Sequence, residues 1–323
     1  MTSALSGFRV FGKLPSQADF VQLGSSSAAF LRFDDWLTDS VEWAHARAGA
    51  QWPEAFPAAG VRAFVYRSPG NGAAEPLVVG ALAPSRDQAG RLFPISVAAS
   101  LVPGGDLTHS PQLLPLACEK IWQVAGACVV DLTSAEATEP ASRLAELSGL
   151  ESPNVPEAQA AYAGWSEALP LHELWALIHA SDAAAGLSDA LRVVIEAVRP
   201  LRNREAAATQ LSLRFPLGAA GGAAVCFWLD VVKRLIGWRD TVPNFFWSHD
   251  GVSGQLTVHL GGLPPSTIAE LWLPSTSRDE FCDLLAIAGG AALHSFPELP
   301  VALERAVRVG GSVADFLLAL DSN

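Results

Sequence analysis

Apolar positions at the start of the chain alternate, then settle into a helical period. Gly7 to Phe11 predicts a short strand closed by Gly12. From Ala28 to Ala48, the residues Phe30, Phe33, Leu37, Val41 and Ala44 fall three and four apart, which predicts a helix with one buried stripe. Trp36 and Trp43 widen that stripe on one flank, and the pair Asp34-Asp35 is expected to be solvated. Three strand-like runs follow: Val61 to Arg67, Leu77 to Ala83 and Pro94 to Leu101. Turn formers bound them at Ser68-Pro69-Gly70-Asn71-Gly72, at Pro84 and at Pro103-Gly104-Gly105.

The middle of the chain has a different texture. From Pro111 to about Ala207 the period is helical, and the loosest stretch, Thr133 to Pro156, includes an expected exposed connection. Strand and helix signals then return. Thr209 to Phe215 alternates, Gly218 to Gly222 breaks the run, and Val225 to Ile236 predicts a helix with Asp230, Lys233 and Arg234 on its outer face. Gly237 is placed to stop that helix. Asn244 to Ser248 and Gln255 to Leu260 predict a hairpin around Asp250-Gly251. Helices near Pro265–Leu271 and Arg278–Ala288 lead into an amphipathic tail. Strands and helices interleave at both ends, so the expected architecture is α/β: layered α-β-α, with a mixed sheet and helices on both faces.

Composition sharpens this picture. Of 323 residues, half are hydrophobic and 17% are charged, which excludes a disordered chain. The formal charge of −12 opposes duplex nucleic acid and anionic membranes, so neither is an expected partner. Met1 to Pro15 has no apolar leader core, and the most apolar stretch, Leu217 to Leu229, is short of the roughly 20 residues of a spanning helix. A soluble, cytoplasmic protein without membrane insertion is expected. Cys118, Cys128, Cys226 and Cys282 are too scattered for a disulfide scaffold or a thiolate metal centre.

Catalytic patterns are absent or incomplete. Gly164-Trp165-Ser166 opens like a nucleophile elbow, but Ala168 stands where the second glycine belongs, leaving a serine at a helix start. His172-Glu173 begins a zinc-protease motif, yet the next histidine is His179, too far along the helix to share one metal ion. Gly218 to Gly222 sits between strand and helix, where an anion or a plain tight turn are both open readings. His249-Asp250 belongs to a turn. No catalytic residue, metal site or cofactor is assigned.

Two segments are more specific. Phe11-Gly12-Lys13-Leu14-Pro15-Ser16-Gln17-Ala18-Asp19-Phe20-Val21 follows a strand, and Pro84-Ser85-Arg86-Asp87-Gln88-Ala89-Gly90-Arg91-Leu92-Phe93-Pro94 joins two strands. Polar loops held on a rigid sheet are common recognition sites. Lys13, Ser16, Asp19, Asp87 and Arg91 are the candidate partner-binding residues; alternatively, Asp19, Asp87 and Arg91 tie the two loops together.

Together these segments resemble the TagF family, type VI secretion-associated proteins also called ImpM. The resemblance is densest over residues 7–102 and continues through Phe227-Trp228, Trp238-Arg239, Pro243-Asn244-Phe245-Phe246-Trp247 and Gly262-Leu263-Pro264-Pro265. It departs at Ala18, where the family usually has glycine, and at Gln22-Leu23, where a basic residue is usual. One domain over residues 1–323 is expected, with a loose helical insert at about 107–207; a split near 133–156 is the alternative. Some relatives are fused to a protein phosphatase, and the stand-alone form is expected here. The resemblance implies a non-catalytic, cytoplasmic repressor acting after translation, which binds a scaffold protein carrying a forkhead-associated domain. The competing readings are a structural subunit of the secretion apparatus and a hydrolase built from distant residues such as Ser16, Asp87 and a histidine.

Overall fold

The alternating runs form strands because each finds a neighbour to pair with and a layer to bury against. In the computed structural model, which describes residues 2–69, 75–134, 139–179, 184–202, 210–237, 241–248, 254–273, 281–284 and 298–321, they assemble into one nine-stranded sheet. The strands are β1 (Ala4–Gly12), β2 (Val21–Gly24), β3 (Arg62–Tyr66), β4 (Leu77–Ala83), β5 (Ile95–Val102), β6 (Gln210–Gly218), β7 (Asn244–Ser248), β8 (Gly254–Gly261) and β9 (Phe281–Asp283). Their spatial order is β2-β1-β5-β4-β3-β7-β8-β6-β9. All neighbours are antiparallel except β6 and β9, so the sheet is mixed.

Helices cover both faces, as the pattern predicts. On one face lie α1 (Ala28–Ala48) and α2 (Trp52–Ala58), joined later by α11 (Thr267–Trp272). All five residues of the expected α1 stripe are buried, and Phe33 stacks on Phe64 of β3 at 4.8 Å. Between β5 and β6 the regular elements among the described residues are helices: α3 (Gly105–His109), α4 (Leu114–Ala117), α5 (Glu119–Thr133), α6 (Pro140–Ser148), α7 (Val155–Ala168), α8 (Leu171–His179) and α9 (Ala184–Val198). Among them, α5 packs on the opposite face of β4 and β5. The helix α10 (Gly221–Ile236) fills the largest core with Phe227 and Trp228, whose Nε1 donates to the Pro216 carbonyl at 2.9 Å. Closing helices Val301–Val309 and Val313–Asp321 finish the chain. Among the described residues, no single helix is long and apolar enough to cross a membrane.

Four expectations change. Asp34 is not solvated: strand alternation puts Arg9 on the α1 face of β1, and its Nε and Nη2 reach the buried Asp34 Oδ2 at 2.8 and 2.6 Å. Burial pushes the Asp34 carboxyl up to about 6, against the pull of Arg9. Asp230 is also buried, because the insert packs on that side of α10; it accepts from the Tyr162 hydroxyl at 3.3 Å and the Arg234 Nε at 2.8 Å. Phe281–Asp283 within the expected helix Arg278–Ala288 is a strand, since the open edge of β6 offers ladder partners and Arg214 pairs with Asp283 at 3.1 Å. Ser166 lies in the last turn of α7, not at a helix start. The turns around Gly70-Asn71-Gly72 and Asp250-Gly251, and Trp238-Arg239, lie outside the described residues.

The Arg9–Asp34 pair ties β1 to α1 beneath the candidate loop. Removing one partner of such a buried pair costs about 3–5 kcal/mol, whereas replacing both with apolar groups is often neutral. Arg9→Met should therefore lower stability in chemical denaturation by that amount, and Arg9→Met with Asp34→Leu should recover most of it. A loss below about 1 kcal/mol for the single change would mark the pair as no stronger than a surface bridge.

Candidate functional site

β1 and β5 approach so closely at the end of β1 that a side chain at Gly12 would meet the Pro94 carbonyl at 2.0 Å; φ there is +139°. Only glycine fits, and the chain leaves the sheet at once into the loop that begins with Lys13. The partner loop, Pro84 to Pro94, joins β4 to β5. It closes as a tight hairpin: Phe93 N donates to Ser85 O at 3.1 Å and Asp87 N to Arg91 O at 3.1 Å. The two loops meet through backbone as well, with Gln88 N donating to Gln17 O at 2.8 Å.

Asp87 is the hub. Its side chain is sealed from solvent, and Oδ2 receives Lys13 Nζ at 3.0 Å and Arg91 Nε at 2.6 Å. Oδ1 accepts from Arg91 N at 2.8 Å. Burial pushes this carboxyl up, but the Arg91 amide, the Lys13 ammonium and the Arg91 guanidinium more than offset it and hold it at about 2. Arg91 continues outward, donating through Nη2 to the Ala18 carbonyl at 2.7 Å and lying 3.8 Å from the exposed Asp19. Lys13 Nζ also sits 5.2 Å from the centre of the Phe20 ring, within cation–π range. Phe20 packs on Phe93 at 4.8 Å and Phe11 at 5.8 Å, yet keeps 41% of its surface exposed.

The five candidates therefore divide. Lys13 and Asp87 face inward and build the junction; Arg91 spans it; Asp19 and Ser16 are on the surface, and Ser16 makes no hydrogen bond among the described residues. Sequence reasoning missed Phe20. An aromatic immediately after the acidic end of a strand-following loop was the available signal, since exposed aromatics supply much of the energy in interfaces.

Other sequence candidates do not assemble. The Gly218–Gly222 turn is explained by packing: a side chain at Gly218 would lie 2.1 Å from the Leu177 carbonyl, and Ala219 N donates to that same oxygen at 3.0 Å. Ser166 Oγ donates to the Ala163 carbonyl at 3.0 Å. His172 is exposed on α8, and His249-Asp250 lies outside the described residues. Among the described residues, no three His, Cys, Asp or Glu side chains converge as metal ligands do.

Comparison with known proteins adds the following. Residues 9–148 match the family model of the TagF N-terminal domain, type VI secretion system-associated. No curated protein matches the chain in sequence. Among solved structures, the chain is similar to PA0076 from Pseudomonas aeruginosa PAO1, at 19% identity over 91% of this chain and 100% of that one, with a TM-score of 0.46.

The stability that Asp87 contributes is complete above its unfolded pKa of 3.8 and is lost as pH falls toward about 2. Asp87→Asn should lower the melting temperature at pH 7, because it leaves Lys13 buried without its anion, and should flatten the acid limb of the melting curve between those two pH values. Asp19→Asn, at an exposed position, should do neither. Equal melts for Asp87→Asn and the unsubstituted chain at pH 7 would show that the junction does not hold the loops.

Proposed function

We propose, on the match of residues 9–148 to the type VI secretion-associated TagF N-terminal domain, that the chain is a TagF-family protein and a non-catalytic cytoplasmic regulator, restraining the secretion machine by binding a scaffold protein with a forkhead-associated domain. The observation that carries this reading is the Asp87 junction. It fixes two loops as one rigid platform and presents Phe20, Asp19 and Arg91 together at the surface. A preorganised aromatic flanked by opposite charges suits a protein partner, because little side-chain entropy remains to be lost on docking.

The chemistry elsewhere favours binding over catalysis. Ser212 Oγ and His259 Nδ1 are 2.8 Å apart on adjacent strands, the spacing of a nucleophile and its base. Burial and the nearby Arg214 push the His259 imidazole down to about 3, however, so it stays neutral and is a poor acceptor for the serine proton near pH 7. Ser16 and Asp87, the other residues of the hydrolase reading, point to different places: the hydroxyl to the surface, the carboxylate into the junction.

Calorimetric titration of the chain against the scaffold should give saturable binding. Phe20→Ala should weaken it about tenfold or more, as expected for an interface anchor, and Asp19→Arg should weaken it less, both with unchanged melting curves. Lys13 points inward, so a charge reversal there reports on folding instead. No heat and no co-elution with either phosphorylated or unphosphorylated scaffold would overturn the direct-binding mechanism.

A further inference from the structure

Beside the platform, where β1 and β4 end and β5 begins, an open groove of about 320 Å³ crosses the end of the sheet. Its apolar lining is Pro15, Pro84 and Leu92, with Pro57 near the C-terminal end of α2 on one side and Thr133 at the C-terminal end of α5 on the other. Ser85 lines its floor and is buried. One charged side chain enters it. Arg86 is exposed and makes no ion pair or hydrogen bond among the described residues. Lys13 and Arg91 are both engaged with Asp87, which leaves Arg86 as the unneutralised guanidinium of the groove in a chain of net charge −12.

We propose that this groove binds an extended acidic peptide segment of a partner protein. The guanidinium offers its fork to one carboxylate. The prolines and Leu92 offer flat apolar surface to an aliphatic or proline side chain next to that carboxylate. The volume is at the lower limit for enclosing a small ligand, so an open trough of this size suits a stretch of chain whose remainder lies outside it. A phosphate is the poorer fit. It brings nearly two charges to a single cation. The site is distinct from the Phe20 platform, and its test contains no scaffold, so the two can fail separately.

The full chain, immobilised, is used to select from a phage-displayed library of random heptapeptides, in parallel with Arg86→Gln and Pro57→Glu. Both substitutions are at exposed positions and should leave the melting curve unchanged. The unsubstituted chain should enrich peptides with Asp or Glu beside Pro or an aliphatic residue. In fluorescence anisotropy, a labelled peptide from that selection should bind at least about tenfold more weakly to Arg86→Gln, with partial rescue by Arg86→Lys, and more weakly as salt rises. No enrichment, equal enrichment by Arg86→Gln, or tighter binding of the phosphothreonine form of the peptide would each overturn the proposal.

Discussion

A carboxylate sealed from water between two cations is stable only while both cations stay in place. Asp87 is in that position, with Lys13 supplied by one loop and Arg91 by its own. Separating the loops would leave Arg91 with Asp87 but take the buried Lys13 ammonium from its anion, which is more costly than separating a surface pair. The pair therefore couples the two loops. What they display follows from this: Phe20 rests on the Lys13 ammonium, and the outer face of Arg91 is anchored at its root while its far nitrogens stay near Ala18 and Asp19.

The sheet makes that arrangement possible. β1 and β4 both pair with β5, and antiparallel pairing brings the C-terminal ends of β1 and β4 to the N-terminal end of β5. Loops that are seventy residues apart in the chain thus emerge side by side. Gly12 permits the close approach to Pro94, and the Arg9–Asp34 pair fixes the strand to α1 just before the loop begins. The later strands extend the sheet through the β3–β7 contact, where Phe64 pairs with Phe246, and so the second half of the chain is built onto the first without a break in the ladder. Of its helices, α11 joins α1 on one face and α10 fills the core on the other.

Charge distribution at that end is unlike the chain as a whole. A strongly acidic protein places Lys13, Arg86 and Arg91 within two neighbouring loops. Two of the three are consumed internally, and the third faces an apolar trough. Buried polar groups elsewhere serve cohesion: Arg214 links β6, β9 and α11 through Asp283 and the Glu270 carbonyl, and Asp230 links α7 and α10.

Much of the fold was legible in the chain itself. The α1 stripe, the limits of β4, the β7–β8 hairpin strands and the stop at Gly237 are local events, set by side-chain period and by the conformational freedom of glycine, and the structure places all of them as expected. The two loops stood out in the sequence because polar and turn-forming residues interrupt strands there, and the structure places them side by side. The roles within them were not legible. Whether Lys13 faces water or Asp87, whether Asp34 is solvated or paired with Arg9, and whether residues 281–283 coil or extend are decided by what the rest of the chain brings alongside, since a side chain's period says which way it points but not what covers it. The same limit hid Phe20 and the groove beside Arg86: exposure is a property of the assembled layers, and composition along the chain carries no record of which surface the other elements leave open.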